Sequence, residues 1–91
     1  MVSSKVVVRN PKGLHLKPAG YLCNIALEYT ARITLRIRNK EVNGKSVLGV
    51  LSACIKTGEE VEVICDGVDE EKALEEITKQ IDMGLGEEIN S

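Results

Sequence analysis

The sequence predicts an α+β fold: a four-stranded antiparallel sheet covered on one face by three helices, an open-faced β-sandwich of order βαββαβα. Three observations carry this expectation. Arg32 to Arg38 and Glu60 to Cys65 alternate apolar and polar residues, the period of a half-buried strand. Pro18 to Tyr29 and the segment after Asp69 instead place their apolar residues on one helical face. Strands come in pairs separated by these helices, so one side of the sheet is covered. Many binding domains share that architecture, and it assigns no function by itself.

The elements follow in order. Lys5 to Arg9 is a β-branched run that reads as the first strand and ends at the turn residues Asn10-Pro11-Lys12-Gly13. A helix follows, with Pro18 tolerated in its first turn and Ala19, Leu22, Cys23 and Ala26 on its buried face. Ile33, Leu35 and Ile37 line one face of the second strand, and Lys40 to Val42 forms a short partner closed by Asn43-Gly44. Ser46 to Cys54 reads as a brief helix with Ser46 at its N-cap. After the strand Glu60 to Cys65, Asp69 is expected to cap a longer helix. Its buried stripe is Leu74, Ile77 and Ile81, with Glu70 and Glu71 favourable in the first turn.

A chain of 91 residues is expected to form one domain, residues 1–91. With 43% hydrophobic and 29% charged residues it has the composition of a globular protein, not a disordered tail. No apolar run approaches the ~20 residues of a membrane span, and no signal-peptide pattern opens the chain, so a cytoplasmic location is expected. Cys23, Cys54 and Cys65 are widely spaced among apolar residues and read as buried small hydrophobes, not disulfide partners. A single histidine excludes a zinc site of several His ligands, so no metal is expected. Ten of the 12 Lys and Arg residues precede Thr57, whereas 12 of the 14 acids follow it. A basic front half suits acidic proteins or phosphate. Nucleic acid is disfavoured, because only Tyr21 and Tyr29 are present to stack on bases.

His15 stands between the Asn10–Gly13 turn and the first helical turn. A lone histidine is most often a surface or satisfied core residue, but this position favours chemistry. If the helix begins at about Leu16, the N–H groups of Leu16 and Lys17 lack intrahelical partners and, with the helix dipole, form an anion site suited to phosphate. Lys17 opposes the dipole there, which makes sense if an anion is to arrive. Free imidazole titrates at about pH 6.5, so a neutral ring nitrogen is a competent nucleophile. The resulting phosphoramidate is labile, and Lys17 with the helix end stabilises charge on the transferring oxygens. No further acid or base nearby in sequence is required. The expectation is a stoichiometric relay, not a turnover enzyme.

Asn10-Pro11-Lys12-Gly13-Leu14-His15-Leu16-Lys17-Pro18-Ala19 resembles the active-site signature of HPr, the histidine-containing phosphocarrier of the sugar phosphotransferase system. Asn43-Gly44-Lys45-Ser46-Val47-Leu48-Gly49-Val50-Leu51-Ser52 is similar to the segment that bears a regulatory serine in Gram-positive HPr proteins. Ile55-Lys56-Thr57-Gly58, with Asp66-Gly67 and Asp69-Glu70-Glu71, fits the family's last strand and helix entry, so the resemblance spans nearly the whole chain. It implies that enzyme I, using phosphoenolpyruvate, phosphorylates His15 on Nδ1, and that His15 then donates to IIA domains. It also implies that an HPr kinase/phosphorylase modifies Ser46, adding negative charge that repels enzyme I and anchors a basic transcriptional regulator. Val47, Leu48 and Leu51 would form an exposed docking patch ringed by basic residues such as Lys45. A monomer without cofactor is implied as well.

Two positions depart from the family pattern, which usually has alanine at Leu16 and arginine at Lys17. Arginine grips phosphate through a planar fork, whereas lysine is a flexible point charge. Leu16 adds apolar bulk beside the histidine. These departures sustain an alternative, a regulatory paralogue that binds partners but transfers phosphate poorly. A second rival is a small-molecule-binding sandwich with an incidental His15.

Overall fold

In the computed structural model, which describes residues 1–88, the chain runs β1 (Val2–Val7), α1 (Leu16–Ala26), β2 (Arg32–Ile37), β3 (Lys40–Asn43), α2 (Val47–Ser52), β4 (Glu60–Asp66) and α3 (Glu70–Asp82). The last three residues of the expected domain, 89–91, lie outside the described residues. Every pairing is antiparallel, and the strands lie in the order β1-β4-β2-β3. β1 and β2 therefore run parallel with β4 between them, and β3 and β4 run parallel with β2 between them. Parallel strands need a crossover, and α1 and α2 supply the two. The third helix, α3, packs on β1 and β4. The predicted open-faced α+β sandwich is the observed architecture.

Register decides which side chains meet the helices. Ile33 pairs with Cys65, Leu35 with Val63, and Val6 with Val61, which places these residues on one face. That face packs on Leu22 and Ala26 of α1, Val50 of α2, and Ala73, Ile77 and Ile81 of α3, all inaccessible to solvent. Leu74, expected in the stripe, is half-buried beside it, and Ala73 takes the fully buried place. The open face carries Lys5, Arg36, Glu41 and Glu62, with Arg36 bridging Glu41 and Glu62. Exposed pairs of this kind contribute ~0–1 kcal/mol each, so the apolar face dominates the energetics.

Several local expectations are corrected. β1 begins at Val2 and ends at Val7, not Lys5 to Arg9, because β4 offers partners from Glu60 to Cys65 along that whole length. β2 stops at Ile37, since Arg38 and Asn39 adopt φ of 48° and 66° and form the two-residue hairpin turn. Two central residues of positive φ match the twist of the flanking strands. The Arg38 guanidinium holds that turn by donating to the Ala53 carbonyl at 2.6 Å and to Glu59 at 2.9 Å. Cys23 and Cys65 are buried as expected, and burial pushes the Cys65 thiol up to about 11. Cys54 is exposed, contrary to expectation: its φ of 50° turns the chain outward after α2, and Ala53 fills the core instead. Asp69 does not cap α3 with its side chain. Its carboxylate accepts the Thr30 and Ala31 N–H groups, each at 2.9 Å, and so ties the entry of β2 to α3.

Candidate functional site

The loop before α1 is built tightly. Gly13, with φ of 68°, donates its N–H to the Asn10 carbonyl at 2.9 Å, and Leu14 donates to the Ile55 carbonyl at 3.0 Å. Leu14 on one side of His15 and Pro18 and Ala19 on the other are buried, so His15 is displayed between anchored neighbours. His15 is the N-cap of α1, with extended backbone, and its carbonyl accepts the Ala19 N–H at 3.0 Å. Its side chain makes no capping bond. Pro18 has no N–H, so the first-turn donors left over belong to Leu16 and Lys17, the pair anticipated from the sequence. Both residues are exposed, Leu16 to 66%.

The imidazole is engaged from the far end of the chain. After α3, Gly84 donates to the Ile81 carbonyl at 3.1 Å and Leu85 to Gln80 at 2.9 Å, the paired bonds of a Schellman ending. Leu85 is buried in the core, and Gly86, at φ of 82°, passes so close to the Tyr21 ring that a Cβ would lie 2.7 Å from it. This path sets the Glu87 carboxylate beside His15, with Oε2 3.0 Å from Nε2. Its other oxygen, Oε1, accepts the Asn10 side-chain amide at 2.8 Å, and the same amide donates to the Gly84 carbonyl at 2.8 Å. Asn10 is fully buried, and its Oδ1 has no partner among the described residues. Rotating that amide would aim an oxygen at two acceptors, which fixes its orientation. The hydrogen bond from Asn10 chiefly holds the Glu87 carboxyl below the usual carboxylate range, with His15 and Lys17 adding to the effect.

A shallow recess surrounds the imidazole, lined by Pro11, Lys12, His15, Lys17, Glu87 and Glu88. Sequence reasoning missed Glu87 and gave Asn10 no role beyond the turn and the signature segment that it opens. Glu87 is 72 positions from His15. The available signal was Gly84-Leu85-Gly86, a helix stop with one apolar residue that redirects the tail inward.

In the second block the expected N-cap is observed, whereas the expected patch of Val47, Leu48 and Leu51 is only partly open. Ser46 is the N-cap of α2, and its Oγ accepts the Gly49 N–H at 3.0 Å. Val50 is fully buried, Leu48 is 80% exposed, and Val47 and Leu51 are half-buried. Lys45 turns inward to donate to the Tyr29 carbonyl at 2.6 Å. Among the described residues, no helix is long and apolar enough to cross a membrane.

Comparison with known proteins gives a consistent pattern. The family model described as "PTS HPr component phosphorylation site" matches residues 2–82. The chain is 38% identical over 81 residues to the HPr-like protein Crh of Bacillus subtilis, covering 89% of this chain and 95% of that one. A crystal structure of HPr from Thermoanaerobacter tengcongensis superposes with a TM-score of 0.92 at 32% identity, covering 97% of this chain and 99% of the other. A crystal structure of Bacillus subtilis Crh, a dimer with a swapped domain, gives a TM-score of 0.75 at 37% identity, with coverages of 92% and 97%.

Proposed function

Because the chain belongs to the HPr family of the phosphotransferase system, we propose that it accepts a phosphoryl group from enzyme I on His15 and passes it to IIA domains. The supporting observation is the position of His15 as the N-cap of α1, directly before the first-turn residues Leu16 and Lys17, with its side chain making no capping bond. In this reading His15 is the nucleophile and Lys17 steadies charge on the phosphoryl oxygens. Val47, Leu48 and Leu51 dock partners, with Leu48 the most exposed of the three. Ser46 is the regulatory site for an HPr kinase/phosphorylase, and a transcriptional regulator reads its phosphate. The carrier is used stoichiometrically, as a monomer, and needs no cofactor.

The deciding experiment is intact mass after incubation with enzyme I and phosphoenolpyruvate, for the wild type and His15→Ala. One acid-labile phosphoryl group gained by the wild type and absent from the variant is expected. A regulatory paralogue is the second reading, favoured by the 38% identity to an HPr-like protein and by the exposed Leu16. Absence of labelling with a demonstrably active enzyme I selects it.

A further inference from the structure

We propose that Glu87, braced by Asn10, is a positioning residue for phosphoryl transfer: it keeps the ring proton of His15 on Nε2 and so reserves Nδ1 for the bond to phosphorus. This inference rests on the carrier reading above. The geometry is direct, since Oε2 of Glu87 lies 3.0 Å from Nε2 and Oε1 is held by Asn10 at 2.8 Å. An ionised carboxylate only accepts hydrogen bonds, so Nε2 must be the donor, and a neutral ring then carries its lone pair on Nδ1. Asn10 matters because it is fully buried and donates to the Gly84 carbonyl as well, which locks the carboxylate to the end of α3.

The same contact bears on both half-reactions. On loading, the Nδ1 lone pair forms the N–P bond while the donor's bond to phosphorus breaks, and the donor leaves with that electron pair. The ring still holds its Nε2 proton and becomes cationic, and the Glu87 carboxylate compensates the charge. On unloading, the acceptor nucleophile bonds to phosphorus and the Nδ1–P electrons return to the ring. Neutral imidazole departs, a far better leaving group than imidazolate. The Nε2 proton never leaves, so the cycle needs no further acid or base.

The test compares the wild type with Glu87→Ala and Glu87→Gln, by nitrogen NMR of the isotopically labelled imidazole in mildly alkaline solution and by labelling with phosphoramidate, a small donor that needs no partner protein. The wild-type ring is expected in a single Nε2–H form. Glu87→Ala is expected to mix both tautomers and to label at least about twofold more slowly, with Glu87→Gln in between. An even mixture halves the form with a free Nδ1 lone pair, and the charge compensation is lost as well. An Nδ1–H ring in the wild type, or tautomers and labelling rates unchanged in Glu87→Ala, would overturn the proposal. Failure of the wild type to accept phosphate from enzyme I would overturn only the carrier reading, because the tautomer measurement decides on Glu87 in either case.

Discussion

Gly13 lies so close to Ile55 that a Cβ on it would come within 2.3 Å of the Ile55 carbonyl oxygen, the acceptor of the Leu14 N–H. Glycine at φ of 68° is thus required twice over, by backbone conformation and by space. Gly13→Ala is expected to lose at least about 1 kcal/mol in urea unfolding. It should also slow labelling of His15 beyond what the unfolded fraction explains, since the loop that displays the ring must shift. Wild-type stability in this variant would show that the loop is not pinned at Ile55.

Three carboxyls set the expected acid response. Asp69 is held below its usual range chiefly by the Thr30 N–H, Glu70 by the Gly67 N–H and then the N-terminal ammonium, and Glu87 by Asn10. A depressed folded value contributes stability that is complete above the unfolded carboxylate range, about pH 4, and is lost as pH falls through the folded values. The melting temperature should therefore change little between about pH 6 and 8 and fall steeply below about pH 4. Asp69→Asn removes the charge while keeping one acceptor for Thr30 or Ala31, so it should lower the neutral-pH melting temperature and flatten the acid limb. An acid limb as steep as that of the wild type would remove Asp69 from this account.

Where the alternation of Ile33, Leu35 and Ile37 or of Val61, Val63 and Cys65 reports burial directly, the sequence reading and the structure agree. The period of two leaves one face no choice. Disagreement falls where a backbone conformation is held by a distant partner. Arg38 takes a positive φ without being glycine because Ala53 and Glu59 hold its guanidinium. Asp69 looks like a cap, yet it serves the N–H groups of Thr30 and Ala31. Half of the candidate site was legible by the same rule. His15, Leu16 and Lys17 are local to one helix start, whereas Glu87 reaches the ring only through the tertiary path of the tail.

Ser46 closes the start of a helix only six residues long, by accepting the Gly49 N–H. So short a helix draws little on its own propensity, and the cap matters correspondingly. Ser46→Ala is expected to cost ~0.5–2 kcal/mol in chemical denaturation. It should abolish modification by an HPr kinase/phosphorylase while leaving phosphoramidate labelling of His15 intact. Phosphate incorporation persisting in this variant under the kinase would place the modified residue elsewhere.

Leu48 offers a test of the proposed docking patch apart from the chemistry at His15. At 80% exposure it contributes little to the core, and Leu48→Asp should alter stability by no more than ~0.5 kcal/mol. If the proposed patch docks partners, an aspartate within it must be desolvated when a partner covers it, and an unpaired buried charge is costly. The expected result is a rise of roughly tenfold in KM for enzyme I-dependent phosphorylation, corresponding to about 1.4 kcal/mol, with kcat nearly unchanged. Labelling by phosphoramidate should match the wild type, because that donor meets only the histidine. Equal losses with both donors would instead assign Leu48 an effect on the His15 environment, and no loss with either would place the docking surface away from α2.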